Sequence, residues 1–261
     1  MRRLAERLDA ATAGSVVSRA SLRWPTCATT DLGGAGIEHW DAYGKHLLLR
    51  LDDRRTLHSH LGMSGGWSLL RPGRRPPARI SAQVRAVLGL ADGRTLLGTG
   101  LRHLGVLATR DESRVLGYLG PDLLAPDVDL DAAAARVARR PDRAVVEALL
   151  DQRSVAGMGN LWVVETLFLR GLHPDRPAGD VDLVGALTLA RRMMRHSVQH
   201  ATRQATTGDL RRGRTHWVYG RAGRPCLRCG APVRFRPAGG GAFRRELWWC
   251  GECQPATGAG R

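Results

Sequence analysis

Four cysteines near the C-terminus have the spacing of a metal site. Cys226 and Cys229 form one Cys-x-x-Cys pair, and Cys250 and Cys253 form a second pair twenty residues later. Two such pairs supply the four thiolates of a structural zinc site. Disulfides are the alternative, but they are disfavoured because the N-terminal MRRLAERLDA does not resemble a signal peptide. We predict one structural Zn²⁺ with no open coordination position, and a core role for the remaining Cys27.

A second pattern lies in the segment QRSVAGMGNLWVVETLFLRGLHP. Gly157, Gly159 and Asn160 precede an apolar helical run within it. The free backbone N–H groups of a helix N-terminus attract anions, and glycines let a phosphate approach the backbone closely. A tight turn with no ligand would use the same residues. The pattern alone leaves both interpretations open, a phosphate clamp and a simple turn.

The charge of the chain indicates a polyanionic partner. The 261 residues carry a formal net charge of +16, and Lys45 is their only lysine. A genome that prefers arginine codons explains why arginine is used in place of lysine. It does not explain why basic residues outnumber acidic ones. Nucleic acid is the simplest partner, because phosphate neutralisation dominates its binding. Lys45 is either an accident of composition or a position that needs a compact ammonium group.

The chain before residue 120 has the signals of antiparallel strands. A short helix is predicted at 2–13, followed by short apolar runs separated by turn residues, including the hairpin signal Asp92-Gly93. We predict an α+β protein of several domains. They are an N-terminal antiparallel β-sandwich at 1–123, a helical domain at 124–210 and a zinc-finger β-hairpin at 216–256.

The helical domain is predicted from its periodicity and its capping residues. Asp129 or Asp131, Asp142 and Asn160 are the predicted N-caps. The predicted helices span 129–139, 142–150, 160–171 and 182–203. No run of apolar residues approaches the length of a membrane span, and we expect a cytoplasmic protein.

Together these motifs resemble the formamidopyrimidine-DNA glycosylase and endonuclease VIII family of base-excision repair enzymes. YGKHLLLRL and HSHLGMSGGW are similar to its N-terminal sandwich. LLDQRSVAGMGNLWVVETLFLRGLHP is similar to its helix–two-turns–helix motif, and VYGRAGRPCLRCG with RRELWWCGECQ to its zinc finger. The resemblance covers nearly the whole chain, with four motifs in the family's order.

The resemblance assigns roles to individual residues. Lys45 matches the lysine that contacts the DNA phosphate beside the lesion and assists catalysis. Gly157, Gly159 and Asn160 match the phosphate clamp. Arg245 matches the zinc-finger arginine that grips the DNA backbone. Met63 lies in the loop that fills the void left by the extruded base, although a core role is its default interpretation. These six positions are thus implied DNA contacts.

The chemistry implied by the resemblance is nucleophilic. In the family, the amine of an N-terminal proline attacks the sugar, and the Schiff base that forms permits β- and δ-elimination, with an adjacent glutamate as acid and base. The present chain opens with MRRLAERLDA, which lacks the Pro-Glu pair. Two explanations remain, a start codon assigned too late and a true truncation. We expect the first, with an upstream start that restores the pair.

The expected partner is double-stranded DNA that contains oxidised bases or abasic sites, bound by a monomer. The segment between the last long helix and the first cysteine pair is short and lacks the longer loop with which the family's oxidised-purine branch covers its flipped base. The resemblance therefore favours the endonuclease VIII-like branch, with oxidised pyrimidines as substrates. Two alternatives remain open: a zinc-containing damaged-DNA-binding protein without catalysis, and a zinc-ribbon module that binds nucleic acid in transcription or RNA handling.

Overall fold

The computed structural model describes residues 1–62, 64–75, 78–200, 205–239 and 245–256. It divides the chain into two compact units, Met1–Tyr118 and Leu119–Arg261. The first unit contains the strands of the sandwich, and the second contains both the long helices and the cysteine hairpin. Across the described ranges, no helix has the length and apolar character that a membrane crossing needs.

The first unit is an antiparallel β-sandwich. One sheet has the strand order β1-β6-β7-β5 and the other has the order β2-β3-β4-β8. The elements are α1 (Arg2–Thr12), β1 (Val17–Leu22), β2 (Ile37–Tyr43), β3 (His46–Leu51), β4 (Arg55–His60), β5 (Gly66–Leu70), β6 (Val84–Leu90), β7 (Thr95–Thr99), β8 (His103–Ala108) and α2 (Glu112–Leu116).

The core of the sandwich lies between its two sheets. Leu47 and Leu49 from one sheet and Leu88 and Leu96 from the other are fully buried in one apolar cluster, which also contains Leu8 of α1. Alternation along each strand places the intervening side chains on the opposite face. In the β2-β3-β4-β8 sheet that outer face carries polar side chains.

Strands β2 and β5 were not predicted from the sequence. A register shift between Ile37 and His39 breaks the period of β2, so that Ile37 and Trp40 are both buried although an odd number of steps separates them. Strand β5 is short and begins at Gly66, in the middle of a turn signal. A bulge and a glycine thus concealed the two-residue alternation that identifies strands.

The second unit is helical, with a two-stranded hairpin near its end. Its elements are α3 (Leu130–Val137), α4 (Val145–Leu150), α5 (Asn160–Leu169), α6 (Leu183–Gln199), β9 (Val233–Arg236) and β10 (Leu247–Cys250). One apolar cluster contains buried residues of all six elements, including Phe168 of α5, Leu187 of α6 and Trp248 of β10. The hairpin therefore shares a core with the helices.

The helix N-caps are partly those predicted. Asp129 caps α3 by accepting from the backbone N–H of Ala132 at 2.9 Å. Helix α4 begins three residues later than Asp142, after Ala144 in an extended conformation, so the prediction for Asp142 was wrong. The N-cap of α5 is Gly159, and Asn160 is the first helical residue, because its side chain bonds elsewhere.

Candidate nucleic-acid interface and metal centre

The sulfur atoms of the four paired cysteines lie together in the second unit. Within the described ranges they form the one group of histidine, cysteine or acidic side chains placed to hold a metal ion, with all four ligand atoms within 4.8 Å of one another. The Sγ atoms of Cys226 and Cys253 are 3.9 Å apart, and those of Cys229 and Cys250 are 3.5 Å apart. Tetrahedral Zn–S bonds of about 2.3 Å place sulfurs about 3.8 Å apart. The residues therefore fit a structural zinc ion.

The chemistry of the four thiols is compatible with a divalent cation. Burial raises the pKa of Cys250 and, together with the neighbouring sulfurs, that of Cys253. A hydrogen bond from the backbone of Ala231 lowers the pKa of Cys229. Four adjacent thiolates repel one another, and a divalent metal offsets that charge.

Gln254 connects the metal centre to the helical part of the unit. Its Oε1 accepts from the backbone N–H of Cys250 at 3.0 Å, and its Nε2 donates to the carbonyl of Leu172 at 2.8 Å. The side chain is fully buried. Because Leu172 follows the turn that ends α5, this amide fixes the hairpin against that helix.

The glycine segment before α5 is braced by Gln152. The backbone N–H of Gly157 donates to Gln152 Oε1 at 3.2 Å, and Gln152 Nε2 donates to the carbonyl of Met158 at 3.0 Å. Gly157 has φ of 99°, a conformation that side chains with a Cβ rarely adopt. The segment is therefore a fixed bend that leads directly into the N-terminus of α5.

Asn160 and Arg245 lie close together at this N-terminus. Asn160 Nδ2 donates to the backbone carbonyl of Glu246 at 2.7 Å. Arg245 immediately precedes that carbonyl and is exposed. The structure thus brings together two of the sequence-predicted DNA contacts, a helix N-terminus and an arginine.

Glu165 organises the chain that leads from α6 to the first cysteine pair. It lies fully buried in α5, and its carboxylate accepts from the backbone N–H groups of Trp217, Val218 and Tyr219, each at 2.9 Å. The hydroxyl of Thr206 donates to the same carboxylate. Glu165 was not among the residues predicted from the sequence, although a lone acidic residue within the apolar run NLWVVETLFL was a signal.

Lys45 lies at the tip of the hairpin between β2 and β3 in the first unit. Tyr43 pairs with His46, so Gly44 and Lys45 form a two-residue turn. Gly44 has φ of 55°, while Lys45 is outside the left-handed region. Glycine at the first turn position is the pattern of a type II′ hairpin turn. The backbone geometry of the turn therefore determines the position of Lys45.

Four histidines lie beside this turn on the outer face of the sheet. His46 pairs with His60 across β3 and β4, and His60 pairs with His103 across β4 and β8. His46 Nδ1 is 2.8 Å from Nε2 of the buried His58, so one of these nitrogens carries the shared proton. Within the described part of the chain, His58 Nδ1 is buried without a hydrogen-bond partner.

Burial keeps this histidine cluster uncharged. Burial, and to a smaller extent the neighbouring imidazoles, lower the pKa of His46 to about 4 and that of His58 to about 3. The pKa values of His60 and His103 are lowered by burial as well. Near neutral pH, Lys45 therefore stands beside neutral rings. The cluster was not predicted from the sequence, because its members come from three strands.

Met63, another sequence-predicted DNA contact, lies outside the described residues. Lys45 belongs to the first unit, and the glycine segment, Asn160, Arg245 and the four paired cysteines belong to the second.

Two protein-family models together match most of the chain. The N-terminal domain of formamidopyrimidine-DNA glycosylase matches residues 1–107, and the H2TH domain of the same enzyme matches residues 119–208. The chain belongs to the formamidopyrimidine-DNA glycosylase family. The four paired cysteines lie beyond both matched segments, so the assignment of the metal centre depends on its geometry alone.

Relatives within this glycosylase family align over nearly the whole chain. A probable endonuclease 8 2 of Streptomyces coelicolor is 44% identical, covering 96% of this chain and 90% of its own. The DNA-(apurinic or apyrimidinic site) lyase Nei2 of Mycolicibacterium smegmatis is 40% identical, covering 97% and 96%.

Solved structures of the glycosylase family have the same fold. The MutM (Fpg) protein of Thermus thermophilus has a TM-score of 0.76 at 30% identity, covering 97% of this chain and 96% of its own. The Lactococcus lactis Fpg bound non-covalently to DNA with an AP site has a TM-score of 0.79 at 22% identity, with 97% of each chain covered. This second likeness supports the fold alone.

Proposed function

We propose that this protein is a DNA glycosylase and AP lyase of base-excision repair, acting on double-stranded DNA that contains oxidised bases or abasic sites. The observation that carries the proposal is the hydrogen bond from Asn160, at the N-terminus of α5, to the carbonyl of Glu246, the residue that follows the exposed Arg245. A helix N-terminus and an arginine are both groups that bind phosphate. The family membership supplies the reaction class.

The charge and the arrangement of residues support DNA as the partner. The net charge of +16 favours a polyanion, and the cysteine centre fixes the hairpin that carries Arg245. All proposed contacts belong to one chain, so the proposal requires no second copy. Zinc, when bound, supplies folding free energy to this hairpin, and its closed set of four sulfurs assigns it no part in the chemistry.

In the proposed reaction, an amine attacks the sugar and displaces the damaged base, and elimination from the Schiff base then breaks the strand. The proposal assigns this amine to no residue of the present sequence. Lys45 binds the phosphate beside the lesion with its ammonium group and assists elimination. The neutral histidines beside it add no competing positive charge at pH 7.

Oxidised pyrimidines are the proposed base substrates. The segment between α6 and Cys226 is short, which leaves little chain to cover an extruded purine. The Streptomyces relative carries an endonuclease 8 name, which agrees with this branch. Excision from duplexes that carry one oxidised pyrimidine or one oxidised purine tests the preference. Faster release of the purine would contradict it.

Lys45→Ala tests the catalytic part of the proposal. On a duplex with one abasic site, we expect single-turnover nicking to fall by about 100-fold, since one preorganised electrostatic contact contributes about 10²–10³ in rate. Duplex affinity should fall far less, because one phosphate contact is lost. Arg110→Ala removes an exposed positive charge from the same unit and serves as the control. Unchanged nicking by Lys45→Ala would contradict the role of the lysine.

A further inference from the structure

The contact between Asn160 and Glu246 joins two parts of the second unit that are far apart in sequence. Asn160 is the first residue of α5, and Glu246 is the last residue before β10. The amide–carbonyl distance of 2.7 Å is that of a short, well-formed hydrogen bond. It spans 86 positions and holds the hairpin at the point where the chain enters its second strand.

The chemistry of the contact fixes the orientation of the amide. If the carboxamide were flipped, its Oδ1 would face the carbonyl oxygen of Glu246, and two acceptors at that distance repel each other. In the observed orientation Oδ1 is buried and, among the described residues, has no hydrogen-bond partner. In this orientation Oδ1 is left unsatisfied by the described part of the chain, while Nδ2 donates to the hairpin.

Nδ2 has a second hydrogen in addition to the one that Glu246 accepts. An amide nitrogen donates two hydrogen bonds. One hydrogen can therefore hold the hairpin while the other meets a phosphate oxygen. The phosphate role proposed for Asn160 and its bond to the hairpin are compatible with each other.

Arg245 is directly affected by this bond. The ladder between β9 and β10 begins with the pair Leu247 and Arg236, so Arg245 precedes the paired residues. Its side chain is exposed. A long, exposed arginine loses conformational freedom when it binds, and a backbone already fixed at the next residue lowers that cost.

We infer that Asn160 is a positioning residue for Arg245, so that the helix N-terminus and the zinc hairpin bind the DNA backbone as one unit. The inference rests on the proposed function, since it assumes that Arg245 binds phosphate. Gln254 supports it, because its amide fixes the other end of β10 to the turn after α5. The second strand of the hairpin is thus tied to the helix at both ends.

The salt dependence of DNA binding separates positioning from a direct contact alone. Each phosphate neutralised by a cation contributes about 0.9 to the slope of log K against log salt. Asn160 is uncharged, so loss of its own phosphate contact leaves the slope unchanged. If Asn160 positions Arg245, Asn160→Ala should make the slope less steep by about 0.9, as Arg245→Ala does. The probe is a duplex with one tetrahydrofuran abasic-site analogue, measured by fluorescence anisotropy.

The double variant gives a second readout. We expect each single substitution to weaken binding by about 10-fold, and the double variant to be within about threefold of Arg245→Ala. Independent contacts would multiply to about 100-fold. A slope that stays unchanged in Asn160→Ala, or losses that multiply, would overturn the inference while leaving the proposed function intact. If neither single substitution weakens binding, the proposed DNA surface itself is wrong.

Two controls keep the result specific. Glu246→Ala retains the backbone carbonyl that Asn160 bonds, so its affinity should stay within about twofold of the parent. Zinc content and thermal stability are measured for every variant. Should Asn160→Ala not fold, Asn160→Ser replaces it, because serine is accepted at a helix N-terminus and is too short to reach Glu246.

Discussion

The two units hold their proposed DNA contacts by different physical means. In the first unit, Lys45 is placed by a two-residue turn and by the register of the strands on either side. In the second unit, the side chains of Asn160, Glu165 and Gln254 bond the backbone at positions far away in sequence, and Gln152 braces the glycine segment from nearby. The first arrangement is local in sequence, and the second depends on tertiary structure.

This difference determines how each unit should respond to substitution. A turn changes when its own residues change, so damage to Lys45 positioning should come from its immediate neighbours. A surface held by long-range amide and carboxylate bonds should be sensitive to residues that never touch DNA. The larger effects are therefore expected in the second unit.

The largest expected effect follows loss of the metal. Cys226→Ser removes one of four thiolates, and structural zinc contributes about 10–16 kcal/mol of binding free energy to domains of this kind. We expect less than half a zinc ion per chain by native mass spectrometry and at least about 100-fold weaker binding to abasic-site DNA. Cys27→Ser, a buried thiol of the first unit, should retain zinc. One tightly held zinc in Cys226→Ser would refute the site.

The next effect comes from the buried carboxylate. Glu165→Ala leaves the N–H groups of Trp217, Val218 and Tyr219 without their acceptor, at a cost of about 3 kcal/mol or more. We expect the melting temperature to fall by about 6–12 °C. Asp127→Ala, at an exposed position of the same unit, should change it little. An unchanged melting temperature in Glu165→Ala would mean that the long-range bonds do not hold the second unit together.

Acid should destabilise the first unit through its histidines. Burial lowers the pKa of His58 to about 3, below the usual value of 6.5, so between these values the unfolded chain binds a proton that the folded chain does not. Stability therefore falls as pH decreases from about 6.5, and at pH 4.5 His58 alone accounts for about 2–3 kcal/mol.

Hydrogen exchange of the β3 and β4 amides at pH 7 and pH 4.5 measures this effect, after correction for intrinsic exchange. His58→Gln should show a smaller loss of protection on acidification than the parent, and His196→Gln, exposed on α6, should match the parent. Equal losses in His58→Gln and the parent would show that the histidine cluster does not govern acid stability.

The smallest effect is expected at the lysine turn. Gly44 has a positive φ, and alanine in that conformation costs about 1–2 kcal/mol. Gly44→Ala should slow nicking severalfold by shifting Lys45, with little change in DNA affinity. Gly66→Ala is the matched control, since its φ is outside the left-handed region and no atom lies within 4 Å of the added Cβ. Equal rates in both variants would argue against backbone control of Lys45.

The parts of the site that the sequence predicted are those encoded locally. Each Cys-x-x-Cys pair and the glycines before Asn160 occupy a few neighbouring positions, so the sequence alone makes them visible. The bonds from Glu165 to residues 217–219 and from Asn160 to Glu246 join positions more than 50 apart. No local sequence pattern predicts which residues are their partners. Strand β2 was missed for a related reason, because its bulge breaks the alternation.

The most direct test of the account is borohydride trapping on abasic-site DNA, using the protein purified from its own cells. A Schiff base with the opened sugar is reduced to a stable adduct, and peptide mass spectrometry then identifies the amine that formed it. The account predicts a covalent protein–DNA adduct, together with strand cleavage at the abasic site when borohydride is omitted. Tight binding without adduct or cleavage would contradict it and leave a protein that only binds damaged DNA.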